Sequence, residues 1–176
     1  MLPDDDAPKM KEIYAYLGYA MFLSQILEAG LAQAAIVLVE FQNNRDAIKA
    51  ISEEGAHEKW VALVGSFEEK HKKKSVDQLI KILSKNESIS SDVKACLDDA
   101  RRDRNFVAHN FFKEYLAKLY HEERQDEAIA YLKKICLVIE NALDQLRPVL
   151  FEKLAAYGYD EEFVMEQCMQ IVAEAK

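Results

Sequence analysis

The chain is predicted to be all-α, an antiparallel helical bundle, and three observations carry that expectation. Apolar residues recur three or four apart over long stretches, the period of a helix buried on one side. No stretch of convincing length alternates apolar and polar residues as a half-buried strand does. Only five glycines and three prolines interrupt 176 residues, so elements are long and turns few. At this length one domain spanning 1–176 buries a core without covalent staples. Residues 1–8 are expected to be disordered.

Pro8 suits the first turn of a helix, where its missing N–H is no loss. From Lys9 to about Gln42, Ile13, Leu17, Ala20, Leu23, Leu27 and Leu31 mark one apolar stripe, which predicts a single long helix. Gly18 and Gly30 lie within it and read as points of close packing. Asn43-Asn44 ends it. Short helices are expected over Arg45–Ser52 and His57–Lys70, the second around Trp60, Leu63, Val64 and Phe67. Ser75 reads as the N-cap of a helix from Val76 to Lys85. After a polar break at Asn86–Ser90, Ser90 or Ser91 caps a helix running to about Tyr120, with Val93, Leu97, Phe106, Phe112, Leu116 and Leu119 on its apolar side. His121–Asp126 is a turn. A second long helix follows from Glu127 to about Tyr157, bent or divided near Pro148, with Gly158 at its C′ position. Asp160 caps a last helix to about Glu174.

The formal net charge of −8 excludes a generic nucleic-acid binder, because the overall field repels phosphate. RNA binding needs a local basic patch. Lys70-His71-Lys72-Lys73-Lys74 is one and Arg101-Arg102 with Arg104 is another. The lysine run also fits a solvated loop between helices. Cys96, Cys136 and Cys168 are odd in number and widely spaced, each in an apolar helical pattern, which points to free thiols in a reducing compartment. The acidic start Met1-Leu2-Pro3-Asp4-Asp5-Asp6 lacks the layout of a signal peptide. The apolar stretch Ile26–Phe41 carries Glu28, Gln33 and Glu40 and is too short and polar to span a bilayer. A cytoplasmic protein with no membrane partner is the expectation. No metal site, cofactor motif, glycine-rich phosphate loop or serine-nucleophile motif is expected.

The stretch Arg101-Arg102-Asp103-Arg104-Asn105-Phe106-Val107-Ala108-His109-Asn110-Phe111-Phe112 sets three arginines, an amide and a histidine in one helical pattern. Arginine presents a fixed fork of donors to phosphate. Histidine moves a proton near neutral pH. At about 100° per residue, Asn105 and His109 share a face and Arg102 lies about 20° from His109, whereas Arg104 sits about 140° away. Helical geometry therefore favours Arg102 beside His109. The same residues also fit a structural arrangement in which His109 is half-buried and satisfied and Asp98 or Asp99 pairs with Arg102.

The string Arg104-Asn105-Phe106-Val107-Ala108-His109 resembles the Arg-x4–6-His motif of the HEPN superfamily, in which Asn commonly follows the Arg. The helical layout around it is similar to that superfamily's bundle. The resemblance implies a homodimer whose motif helices meet across a two-fold axis, and a metal-independent RNase of the kind found in toxin–antitoxin, phage-defence and CRISPR-associated systems. It nominates Arg104 and His109 as the catalytic pair with Asn105 beside them. His109 would act as general base or acid in attack of the RNA 2′-OH on the adjacent phosphate, leaving a 2′,3′-cyclic phosphate. Arg104 would stabilise charge on the phosphoryl oxygens. Arg101, Arg102, Lys72, Lys73 and Lys74 would bind substrate, and an antitoxin protein would be a partner. Some HEPN toxins carry a Tyr two residues after the His, modified by a partner nucleotidyltransferase; Phe111 stands there instead. Non-catalytic members, serving as dimeric binding or regulatory modules, are the alternative the resemblance implies. A helical adaptor with a coincidental motif is a third reading.

Overall fold

The computed structural model describes residues 8–54 and 57–159, and these are helical with no strand among them. The elements are α1 (Pro8–Ala35), a π-helical turn (Ile36–Glu40), α2 (Phe41–Asn43), α3 (Arg45–Glu54), α4 (His57–His71), α5 (Val76–Leu83), α6 (Ser91–His109), α7 (Phe111–Leu119) and α8 (Glu122–Ala155). Asp4–Asp6, Cys168 and the helix expected after Asp160 lie outside the described residues.

Local chemistry sets most of the boundaries. Ser75 accepts from the Gln78 N–H while the Gln78 side chain accepts from the Ser75 N–H, a reciprocal capping box at the start of α5. Ser90 caps α6 by accepting from the Val93 N–H. At the end of α8 the Tyr159 N–H returns to the Leu154 carbonyl and the Gly158 N–H to that of Ala155. That Schellman pairing needs a left-handed residue, and Gly158 supplies it at φ 86°. Pro148 neither divides nor ends α8. It sits on the exposed side of α8, as does Asp144, whose carbonyl it leaves without a helical partner, while Leu146 packs inward.

The inward stripe of α1 runs through Met10, Ile13, Leu17, Ala20, Leu23, Leu27 and Leu31. It packs on Ala128, Leu132, Ile135, Ile139, Ala142 and Leu146 of α8 and on Val93, Leu97, Ala100 and Val107 of α6. The two long helices run parallel: Lys9 pairs with Asp126 at 3.0 Å, Glu12 with Lys133 at 2.9 Å, and Tyr19 donates to Glu140 at 2.6 Å. The motif helix α6 runs antiparallel to α8, since Phe106 meets Tyr131 and Cys96 meets Asn141. A bundle antiparallel throughout is thus not what forms. Periodic apolar stripes fix which face is buried but not the direction in which two stripes meet. The segment from α2 to α7 returns the chain so that α8 starts beside α1's start.

Pro8–Asn43 makes one rod of 36 residues, longer than the apolar stretch Ile26–Phe41. By length and composition alone it would cross a membrane; here its inner stripe is part of the protein core. The π-helical turn near its end widens the backbone by one residue per turn. The Asn86 side chain donates to the Leu38 carbonyl in that turn at 2.7 Å, tying the α5–α6 connection to the rod. A second small cluster, Ile36, Phe41, Ile48 and Phe67, closes this end of the molecule, with the Tyr157 ring edge-on to Phe41.

Candidate functional site

The motif helix is shorter than its sequence suggests. α6 ends at His109, Asn110 breaks it at φ −124° and ψ −21°, and α7 restarts at Phe111. The buried stripe of α6 contains Val93, Leu97, Ala100 and Val107, and Phe111 extends it. Phe111 is fully buried, stacked on Tyr115 at 5.1 Å, while Phe112 and Leu116 are exposed. The apolar side expected at Phe112 and Leu116 therefore lies at Phe111 and Leu119. Phe106, Tyr115 and Tyr131 complete an aromatic cluster against α8, and burial pushes both phenols above their ordinary range.

Arg104 falls on the inward stripe of α6, within about 20° of Leu97 by helical count. Its fork is turned toward α1, where Nη2 donates to Glu28 Oε2 at 3.2 Å and Nη1 donates to Asn105 Oδ1 at 3.1 Å. Its Nε is buried without a partner. His109 lies on the opposite face, exposed, and makes no side-chain hydrogen bond or ion pair among the described residues. Arg102 is exposed on that same outer face and pairs with Asp99, while Arg101 bridges Asp98 at 3.3 Å and Asp77 of α5 at 2.8 Å. One chain therefore places Arg102 on the same outer face as His109, two turns before it, and leaves Arg104 on the core side. The satisfied, half-buried state open to His109 in the sequence is not the one it adopts, although the pairing of Arg102 with Asp99 is seen. Asp103, half-buried, has its carboxyl raised by burial against the pull of Lys134.

Lys70 and His71 of the lysine run end α4, and Lys72, Lys73 and Lys74 form the turn to α5. Lys72 pairs with Glu69, Lys73 is exposed, and Lys74 is half-buried without an ion pair among the described residues. A cavity of about 270 Å³ next to this turn is lined by Gln25, Glu28, Ala29 and Ala32 of α1 together with His71, Lys72, Lys74 and Leu79. Glu28 lines this cavity and also pairs with Arg104, which itself does not line it.

Beside them is a feature the sequence did not announce. His71 is 2% exposed, and its Nε2 lies 2.9 Å from Oε1 of Glu40, itself 4% exposed on the π-helical turn. Lys70 reaches the same oxygen at 2.7 Å. Burial alone raises the Glu40 pKa, but the hydrogen bonds from Lys70 and His71 outweigh it and hold the carboxyl below its ordinary range. An ionised carboxylate only accepts, so His71 carries its proton on Nε2. His71 Nδ1 is buried without a partner. The two residues are 31 positions apart, so no local pattern signals the pair. The only hint was an acid, Glu40, inside an apolar helical stretch.

A cavity of about 610 Å³ lies elsewhere, between the π-helical turn, the Lys85–Ser88 connection and the end of α8. Arg45, Lys85 and Lys153 stand around it with Gln42, Asn86 and Tyr157, and no motif-helix residue lines it. Among the described residues no group of three or more His, Cys, Asp or Glu side chains is arranged to hold a metal. Cys96 and Cys136 are free thiols, and burial raises the Cys136 thiol above its ordinary range.

Comparison of the chain with protein-family models, with curated proteins and with solved structures returned no match.

Proposed function

We propose that the protein is a metal-independent endoribonuclease of HEPN type that works as a homodimer in the cytoplasm, in a toxin–antitoxin or phage-defence setting with an antitoxin partner. The observation that carries this reading is the state of His109: exposed, without a bonded partner, at the very end of the motif helix and on the same face as Arg102. An unpaired surface imidazole is free to take a proton from a 2′-OH and return it to the leaving oxygen. Arg102 beside it supplies a charged fork for the phosphate once Asp99 yields. Arg104 and Asn105, the residues nominated by the family motif, act from the inner face, with Arg104 released from Glu28 on substrate binding.

The dimer is supported by an apolar stripe right after His109. Phe112, Leu116 and Tyr120 recur four apart and are 47%, 46% and 51% exposed. Three large apolar side chains on one open helical face favour a protein contact. A contact there brings the two copies of His109 into one cleft and concentrates positive charge on an acidic protein. The second reading, a non-catalytic dimeric binding or regulatory module, is favoured by the carboxylates already holding Arg101, Arg102 and Arg104. Phe111, which has no hydroxyl and is fully buried, stands where regulated toxins carry a modifiable Tyr, and this speaks against that route of control in either reading.

RNA cleavage by the purified protein in EDTA separates the two. Wild type should yield fragments ending in 2′,3′-cyclic phosphate. His109→Ala should lose about 10²–10⁴-fold in rate while keeping its unfolding midpoint, because the exposed ring makes no side-chain hydrogen bond or ion pair among the described residues. Equal activity in the two proteins, or none in wild type, selects the non-catalytic module.

A further inference from the structure

The cavity of about 610 Å³, which no motif-helix residue lines, has no part in the ribonuclease reading. Pockets that hold small molecules measure about 300–1,000 Å³ and set a few placed polar groups in an apolar wall. Here the apolar wall is Val37 and Leu38 of the π-helical turn with Ala156 and Tyr157 just past α8. Arg45 opens α3, Lys85 follows α5 and Lys153 lies in the last turn of α8, so three cations reach one cavity from three separate elements. None of the three makes a side-chain hydrogen bond or ion pair among the described residues. Arg101, Arg102, Arg104 and Arg147, by contrast, are each held by a carboxylate. The one acid on the lining is the exposed Glu87, so three cations against one carboxylate leave a surplus of two positive charges. That surplus stands against the field of a chain whose net charge is −8. The walls are fixed in advance. The Asn86 side chain donates to the Leu38 carbonyl at 2.7 Å and accepts from the Ser88 N–H at 2.9 Å, and the Tyr157 ring is set edge-on against Phe41 at 5.5 Å. The π-helical turn itself is a rare conformation that recurs at functional sites.

We propose that this cavity binds a nucleoside polyphosphate, its phosphates against Arg45, Lys85 and Lys153 and its base against Tyr157 and the apolar wall. Size excludes a lone phosphate. A water occupies roughly 30 Å³ in the liquid, so the cavity has the volume of about twenty waters and a single oxyanion leaves most of it unfilled. Charge requires at least two negative groups close together. A polyphosphate concentrates them in one place, whereas an RNA strand spreads one charge per nucleotide along its backbone. Arg45 offers a fork to two phosphate oxygens, and the two lysines act as point charges. The Lys153 side chain is half-buried, and an anion beside it offsets the cost of taking an unpaired ammonium out of water. An inorganic polyphosphate satisfies the cations but leaves Val37, Leu38 and Tyr157 uncovered, while a base stacks on an aromatic ring whatever its identity. Gln42 and Ser88 add an amide and a hydroxyl to the lining for the polar edges of base and ribose. The site stands whether or not His109 cuts RNA.

The test is calorimetric titration of the full chain in EDTA with ATP, adenosine and inorganic tripolyphosphate, alongside NMR of the Val37 and Leu38 methyls and the Tyr157 ring. ATP should bind saturably, about tenfold or more tighter than either fragment, and should shift all three lining residues. Lys85→Ala and Lys153→Ala should each weaken ATP binding about tenfold. Both should keep the wild-type unfolding midpoint, since neither lysine holds an ion pair among the described residues. Lys72→Ala with Lys74→Ala, at the separate lysine turn, should bind ATP as wild type does. The proposal is overturned if ATP does not bind, if tripolyphosphate binds as tightly as ATP, or if Lys85→Ala with Lys153→Ala binds as wild type does. It is overturned equally if a short single-stranded DNA shifts the same methyls and ring at lower concentration than ATP, which would assign the cavity to a nucleic-acid strand.

Discussion

Glu40 offers the sharpest test of how the π-helical turn is held. Its carboxylate is buried and takes bonds from His71 and Lys70. Glu40→Ala leaves the His71 Nε2–H buried without an acceptor, which costs about 1–3 kcal/mol. The Lys70 arm adds little, about 0–1 kcal/mol, because that ammonium is more than half exposed. Lost packing of the carboxylate's stem brings the sum to about 3 kcal/mol, the lower end of what breaking a buried ion pair costs. For a chain of this length that lowers Tm by about 6–12 °C. Glu40→Gln keeps an acceptor for His71 and loses only the charge, so its cost should be nearer 1 kcal/mol. The pH dependence has a definite sign. The folded pKa is depressed below the ordinary 4.5, so the unfolded chain binds the proton first as pH falls. Glu40's stabilisation is complete above about pH 4.5 and is lost as pH drops through the folded value below it. Urea unfolding of wild type and Glu40→Gln from pH 7 to pH 3 reads this directly, since the variant should lack that part of the acid slope. A Glu40→Ala protein within about 0.5 kcal/mol of wild type, together with identical acid slopes for wild type and Glu40→Gln, would refute the account.

Other expectations separate stability from function. Phe111→Ala removes a fully buried ring from the aromatic cluster and should cost about 3–5 kcal/mol in chemical denaturation. Leu116→Glu, on the open face of α7, should leave the unfolding free energy within about 0.5 kcal/mol of wild type yet shift sedimentation from dimer toward monomer; an unchanged dimer would place the interface elsewhere. Ser75→Ala should cost about 1 kcal/mol, seen as a lower urea midpoint, because the Gln78 N–H at the start of α5 loses the Ser75 Oγ acceptor.

Much of the fold was legible because it is local. The stripe Ile13, Leu17, Ala20, Leu23, Leu27 and Leu31 is periodic, and periodicity reports burial on one side of a helix. Ser75, Ser90 and Gly158 could be placed because caps depend on residues within one turn. The break at Asn110 was not legible. Asn110 is neither Gly nor Pro, and the apolar run Phe111-Phe112 looked continuous with the helix before it. Which phenylalanine turns inward was decided by the rings of Phe106 and Tyr115, which Phe111 meets and which both pack on Tyr131 of another helix.

The sequence by itself determined that the chain is helical, where several helices are capped, and that Arg102 and His109 share a face while Arg104 does not. All of these follow from the 3.6-residue turn and from contacts within a few residues. Tertiary structure alone decided the rest. It set α1 and α8 parallel, turned Arg104 onto Glu28, and joined Glu40 to His71 across 31 residues. The physical reason is that these are pairings between faces of different helices. A helical repeat encodes the existence of a face, but the partner it meets is chosen by the packing of the whole chain.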